Sequence, residues 1–319
     1  MTAVTLRPWR HGDQEAITQL RRATAAADVT ELGLVVVDPP PEPPLPSPTP
    51  QQDTLVVQDS EGALLATAPL ELDIGPQQSF ARSYPVVHPL CRGSSVERLL
   101  LEGLWQLARD RCSELTDGRS RLLVHCGSHQ EERIAVYEAL GLRLMRQRPH
   151  MVYHPLESLP SPQAPPRMQL RPYVRGADDE SAVQTLNEAF AADWEYVPVT
   201  EDQWSRWLDA PQWRADLCLV AADGDEVVGL CLCLVNEDRI QWLGRKDGYV
   251  DTLCVRPSDQ RQGVGRALLL YALQALRAAG MVSATLDTDE DNPTQAPHFY
   301  SQLGFREVWR WVAYGAELR

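Results

Sequence analysis

Val250-Asp251-Thr252-Leu253-Cys254-Val255-Arg256-Pro257 leads through a polar turn into Gln260-Arg261-Gln262-Gly263-Val264-Gly265-Arg266-Ala267. The first part has the periodicity of a strand. The second opens a helix, because Val264, Ala267, Leu268, Ala272, Ala275, Leu276 and Ala279 recur at three- and four-residue steps and give one face to pack on a sheet. A glycine loop joins them. The first amides of a helix are unpaired and lie at the positive end of its dipole, so a strand, glycine loop and helix in this order can bind a pyrophosphate. Gly263 and Gly265 lack side chains that would keep such a group away from the backbone. Ordinary tight turns also carry Gly-x-Gly, so the surrounding sequence has to decide.

Around this stretch, periodicity predicts strands near 168–173, 216–222, 226–236, 248–256, 281–288 and 305–315, and helices near 178–191, 201–208, 263–279 and 293–303. Asp223-Gly224-Asp225 between apolar runs marks a hairpin turn, and Gly280 sits where a helix C-cap belongs. The order is α+β.

The same order occurs twice. Leu6-Arg7-Pro8-Trp9 followed by Gly12 returns as Leu170-Arg171-Pro172-Tyr173 followed by Gly176. Val87-His88-Pro89 through Arg109 aligns without gaps on Val255-Arg256-Pro257 through Arg277, and Tyr137-x-x-Leu140-Gly141-Leu142 on Tyr300-x-x-Leu303-Gly304-Phe305. Three blocks in one order, at offsets of 163 to 168, indicate a duplicated domain. Leu159-Pro160-Ser161-Pro162-Gln163-Ala164-Pro165-Pro166 reads as a short stiff linker, which places the domains at 1–160 and 167–319. A second proline tract, Pro39 to Pro50, reads as an extended surface loop of the first domain.

At 319 residues the length suits two domains of about 150 residues each. A hydrophobic share of 44% with 23% charged residues is ordinary for a soluble protein, and no apolar run is long enough to span a bilayer. The start, from Met1 to Ala16, lacks the apolar stretch of a secretion signal, so a cytoplasmic location is expected. Seven cysteines, an odd number with no Cys-x-x-Cys pair, argue against a disulfide framework. Cys231 and Cys233 fall on one strand face and read as core packing; His125 and His129 lack the further ligands of a zinc site, so no metal is expected. A net charge of −14 argues against nucleic acid as a partner and is compatible with a cationic small substrate, or with solubility alone.

The glycine loop resembles that of the GNAT superfamily of N-acetyltransferases, whose signature Gln/Arg-x-x-Gly-x-Gly/Ala is filled by Gln260, Gly263 and Gly265. The resemblance continues at Asn292, Ala296, Tyr300 and Gly304-Phe305. It implies two GNAT-like domains, each a mixed, largely antiparallel twisted sheet flanked by helices. It also implies acetyl-CoA as co-substrate, held by the Leu253-Cys254-Val255 edge, by Gln260, Arg261, Gln262, Gly263, Val264, Gly265 and Arg266, and by Asn292. A strand amide would act as an oxyanion donor while the acceptor amine attacks directly, so Cys254 is expected as packing rather than as a nucleophile.

Tyr300 matches the family tyrosine that protonates the departing thiolate, although its apolar surroundings also suit a core residue. Asp251 stands where related enzymes often carry a glutamate base; a solvated strand-end carboxylate reads the same way. For the acceptor, Trp194, Glu195 and Trp204 offer aromatic and anionic contacts to an amine, while the tryptophans suit helix packing equally. In the first domain Gly263 aligns with Ser95, Gly265 with Glu97 and Asn292 with His129, so that domain is expected to have lost acetyl-CoA binding. Tandem members include mycothiol synthases, to which Leu286-Asp287-Thr288-Asp289-Glu290-Asp291-Asn292 is distantly similar. The expected activity is acetylation of a small-molecule primary amine; a protein N-acetyltransferase and a non-catalytic acetyl-CoA sensor are the alternatives.

Overall fold

The computed structural model describes residues 3–31, 53–75, 78–115, 118–193, 196–210, 213–237, 240, 245–292 and 294–318. The proline tract at 39–50 lies outside them. In chain order the elements are β1 (Val4–Pro8), α1 (Gln14–Glu31), β2 (Thr54–Asp59), β3 (Leu64–Pro69), β4 (Glu71–Ile74), β5 (Gln78–Ser83), β6 (Val86–Val87), α2 (Ser95–Leu115), β7 (Arg119–Gly127), α3 (Glu131–Ala139) and β8 (Arg143–Tyr153). They continue with β9 (Gln169–Pro172), α4 (Asp179–Phe190), α5 (Glu201–Leu208), β10 (Leu219–Asp223), β11 (Glu226–Leu234), β12 (Asp247–Val255), α6 (Val264–Ala278), β13 (Ser283–Asp287), α7 (Ala296–Leu303) and β14 (Arg306–Glu317).

The chain forms two compact units, residues 1–148 with 309–319 and residues 149–308. Neither the linker at 160–166 nor any other single point divides them, because two long strands change unit midway. Residues 150–153 of β8 pair with β13, inside the second unit. Residues 311–317 of β14 pair with β7, inside the first.

In the first unit β1, β2, β3 and β6 are antiparallel neighbours, and β4, β5, β7 and β14 form the other group, with only β5–β7 parallel. In the second the order is β8-β13-β12-β11-β10-β9, with only β12–β13 parallel. Both are the expected mixed, largely antiparallel sheets. The duplication is visible in local chemistry: Arg7 is held by Asp13 at 2.8 Å and its counterpart Arg171 by Asp178 at 2.6 Å, each just after the opening strand.

The second unit has a core on each face of its sheet. On one face α6 buries Val264, Leu268, Leu269, Ala272 and Leu276 against Cys231, Cys233, Val250, Ala284 and Leu286. On the other, α4 and α5 bury Ala182, Leu186 and Trp204 against Val220, Leu230, Leu232 and Cys254. Thr200 and Gln203 start α5 with a reciprocal capping box, as the Thr-x-x-Gln spacing allows. Gly224 and Gly280 adopt the positive φ that their turn and cap positions need. Among the described residues no helix is long and apolar enough to cross a membrane.

Candidate functional site

Strand β12 is irregular where the motif begins. Leu232 of β11 faces Thr252 and Cys233 faces Val250, so Asp251 is an extra residue, a bulge that breaks the ladder. On its other side β12 pairs with β13 only through Asp247, Gly248 and Tyr249. Beyond Tyr249 the parallel strands part, and the β13-facing edge of Leu253, Cys254 and Val255 lies outside that ladder.

A 3-10 turn at Pro257–Asp259 follows, then Arg261 at φ +62° and Gly263 at φ +86°, the N-cap of α6. A left-handed φ suits glycine at the N-cap, and a glycine brings no side-chain acceptor to the first helical amides. A Cβ built on Gly263 meets nothing within 4 Å; one on Gly265 meets only Val255 Cγ2, at 3.6 Å. Packing within the protein therefore does not require glycine at 265. Both glycines front open space at a helix start, with the Arg261 and Arg266 side chains exposed beside it. Gln260 turns back and donates from Nε2 to the Val255 carbonyl at 3.0 Å, and Gln262 donates to the Ser258 carbonyl at 3.3 Å. These two glutamines hold the shape of the loop.

Asn292 closes the turn before α7: its Oδ1 accepts from the Thr294 amide at 2.9 Å and the Thr294 hydroxyl at 2.5 Å. On α7, Tyr300 is 8% exposed and packs edge-on to Phe299 and Phe305. Burial, then the nearby thiols of Cys231 and Cys254, push its phenol well above the usual tyrosine range, so it keeps its proton at neutral pH. Burial pushes the Cys254 thiol up to about 12, which leaves it protonated and a poor nucleophile. Asp251 is exposed and accepts from the Thr252 hydroxyl at 2.9 Å.

The acceptor candidates fare differently. Trp194 and Glu195 lie outside the described residues. Trp204 faces inward: it is 1% exposed, and its indole N–H donates to the Tyr173 hydroxyl at 3.0 Å. An indole with no open face packs α5 and cannot stack on a solute. Among the described residues no group of three or more His, Cys, Asp or Glu is placed to hold a metal ion.

A polar group that sequence reading missed lies where β12 and β13 part. Asp287 accepts from the Tyr249 hydroxyl on Oδ2 at 2.9 Å, and its Oδ1 is 2.8 Å from His150 Nδ1. His150 is fully buried and the Asp287 side chain is 5% exposed. These residues come from β12, β13 and β8, and His150 is 137 positions from Asp287, so no local spacing announces them.

Residues 183–305 match the Acetyltransferase (GNAT) family. The mycothiol acetyltransferase of Streptomyces coelicolor is 32% identical over 69% of this chain and 66% of its own length. That of Sanguibacter keddieii is 30% identical over 69% of each. Thus the chain spans about two thirds of the length of these relatives. Among solved structures, a GCN5-related N-acetyltransferase from Sphaerobacter thermophilus superposes with a TM-score of 0.76 at 21% identity, covering 99% of this chain and 96% of that one. A tandem GNAT protein from the clavulanic acid biosynthesis pathway gives 0.64 at 17% identity, covering 99% of each. These last two likenesses concern the fold.

Proposed function

The chain belongs to the GNAT acetyltransferase family, and on that premise we propose that its second unit binds acetyl-CoA and passes the acetyl group directly to a primary amine of a small molecule. The observation that carries this reading is the α6 entry, where a left-handed Gly263 and an uncrowded Gly265 present helix amides to open space. Those amides, with Arg261 and Arg266, would hold the pyrophosphate. The Leu253-Cys254-Val255 edge would pair with the pantetheine amides. When bound, acetyl-CoA supplies an activated acetyl thioester.

The remaining work falls to the chain's own groups. An amide of the freed β12 edge donates to the carbonyl oxygen as negative charge develops there. Asp251, at the bulge, draws in the ammonium form of the acceptor and is a candidate base. Tyr300 gives its proton to the departing sulfur, and the raised phenol keeps that proton available. Asn292 supports this arm by fixing the turn into α7. Cys254 stays protonated, which favours direct attack over an acyl-enzyme.

The test is a panel of primary amines, including ethylamine, glucosamine, putrescine and amino-acid amides, assayed for acetyl-CoA consumption, with calorimetry of acetyl-CoA on the same protein. One acetyl-CoA per chain and transfer to at least one amine are expected. Binding without consumption favours the sensor reading, and two equivalent sites overturn the assignment to the second unit.

A further inference from the structure

We propose that Tyr249 takes the proton from the acceptor ammonium and passes it to Asp287, which His150 holds in place, a role that rests on the transfer reaction proposed above. The placement comes from the sheet. A Cβ on Gly248 would collide with Leu276 of α6, and Val250 packs in the α6-side core, so Tyr249 between them projects from the opposite face. On β13, Ala284 and Leu286 belong to the α6-side core, which puts Asp287 on the same face as Tyr249. His150 is the register partner of Asp287. The three therefore line the sheet face that carries α4 and α5, and Tyr249 is the last residue of β12 paired to β13. Tyr300 belongs to the α6-side core. Proton acceptor and proton donor then act from opposite faces of the parted strands.

The chemistry follows from what an amine needs. An ammonium has no lone pair and cannot attack a carbonyl until an N–H bond breaks. As that bond breaks, an O–H bond forms at the Tyr249 oxygen, and the original Tyr249 proton moves along its 2.9 Å hydrogen bond to Asp287 Oδ2. Asp287 becomes a neutral acid, Tyr249 is again a phenol, and the freed nitrogen lone pair forms the C–N bond. As the adduct collapses the nitrogen gives a second proton to water, Tyr300, having protonated the sulfur, regains a proton from water, and after product leaves the proton on Asp287 returns to water by the same path. His150 Nδ1, 2.8 Å from the other carboxylate oxygen, fixes the rotamer of Asp287. A buried carboxylate is costly unless partnered, and here both oxygens are partnered at the one point where the strands separate. In this scheme Tyr249 touches the acceptor, Asp287 and His150 are positioning residues that act through it, and Asp251 supplies attraction from the solvent side.

The experiment compares Tyr249→Phe with Asp251→Asn on two probes, ethylamine and 2,2,2-trifluoroethylamine, the latter being far less basic and largely unprotonated at neutral pH. Removing the phenol oxygen is expected to lower kcat/KM for ethylamine about 100-fold. The loss for the fluorinated amine is smaller, because little of it needs deprotonation. Asp287→Asn, close in shape, gives the same selective loss. Acetyl-CoA affinity and melting temperature of Tyr249→Phe match the wild type, which separates the relay from a folding or cofactor defect. Equal losses for both amines, or a loss confined to Asp251→Asn, overturn the relay while leaving the transferase reading intact. Wild-type protein that acetylates no amine of the panel overturns the transferase reading, and the relay with it.

Discussion

Ahead of α2, the chain makes a 3-10 turn at Pro89–Cys91 and a left-handed residue at Gly93; ahead of α6 it makes the same turn at Pro257–Asp259 and a left-handed residue at Arg261. These are aligned positions of the duplicated domain, and the backbone has been kept up to that residue; two positions on, Gly263 is again left-handed whereas its counterpart Ser95 already opens α2. The source of negative charge differs as well. In the first unit Ser94 Oγ accepts from the Val96 amide at 3.1 Å, and Glu97 accepts from the Gly93 amide at 2.9 Å and from Arg133 Nε at 2.7 Å. Arg133 also donates to the hydroxyl of Tyr137, the counterpart of Tyr300, at 3.0 Å. A carboxylate of the chain itself thus occupies the turn and engages the tyrosine through an arginine. In the second unit Gly265 leaves that volume open, and among the described residues Tyr300 has no guanidinium contact of this kind. One copy has internalised its anion; the other, on our reading, takes it from solution.

This comparison can be broken most forcefully in the first unit. Glu97→Ala leaves the fully buried Arg133 without its partner, and a loss of about 3–5 kcal/mol in unfolding free energy is expected by denaturant titration. Acetyl-CoA affinity should hardly move; a parallel loss of binding would mean that the first loop belongs to the site. Next in size is Gly265→Glu, which copies the first loop into the second. A carboxylate set against a pyrophosphate should weaken acetyl-CoA binding on the order of 100- to 1,000-fold by calorimetry, with little change in melting temperature. Wild-type affinity in that variant would remove the phosphate-loop assignment.

The two tyrosines sharpen the contrast. Tyr300→Phe keeps the packing with Phe299 and Phe305 but loses the acid, and transfer should slow about 100-fold with acetyl-CoA affinity preserved. The same change at Tyr137 removes a hydrogen bond from Arg133 and should alter stability alone. If Tyr300→Phe turns over normally with chemistry rate-limiting, solvent is the acid. The smallest effect is expected for Ser94→Ala, about 1 kcal/mol of stability from loss of the helix cap, with no effect on turnover.

Much of this could be read along the chain, because it depends on near neighbours. The glycine loop, the helix face from Val264 to Ala279, the hairpin at Gly224 and the paired position of Cys231 and Cys233 all follow from spacing within one or two turns. The loss at Ser95 and Glu97 was legible from the repeat, though its partner Arg133 was not. What stayed hidden depends on distant pairings. Trp204 sits at a spacing that suits either a surface cage or a core, and only the packing of Tyr173 and the sheet decides. The Tyr249–Asp287–His150 chain joins strands far apart in sequence, with no pattern at any one of them. The change of unit within β8 and β14 leaves no local signal either, since both strands alternate normally on each side of the crossing point.

That crossing has a temporal consequence. Residues 309–319 are made after residues 149–308, yet they supply the strand beside β7 in the first unit. At a synthesis rate of about 5–20 residues per second, the ribosome needs roughly 10–30 s to travel from the end of the first segment to that strand. Through this interval β7 waits with one edge uncovered, exposed to mispairing. The first unit, begun earlier, is thus completed after the second. A nascent chain stalled before 309 should hold a folded second unit and a first unit still open to protease.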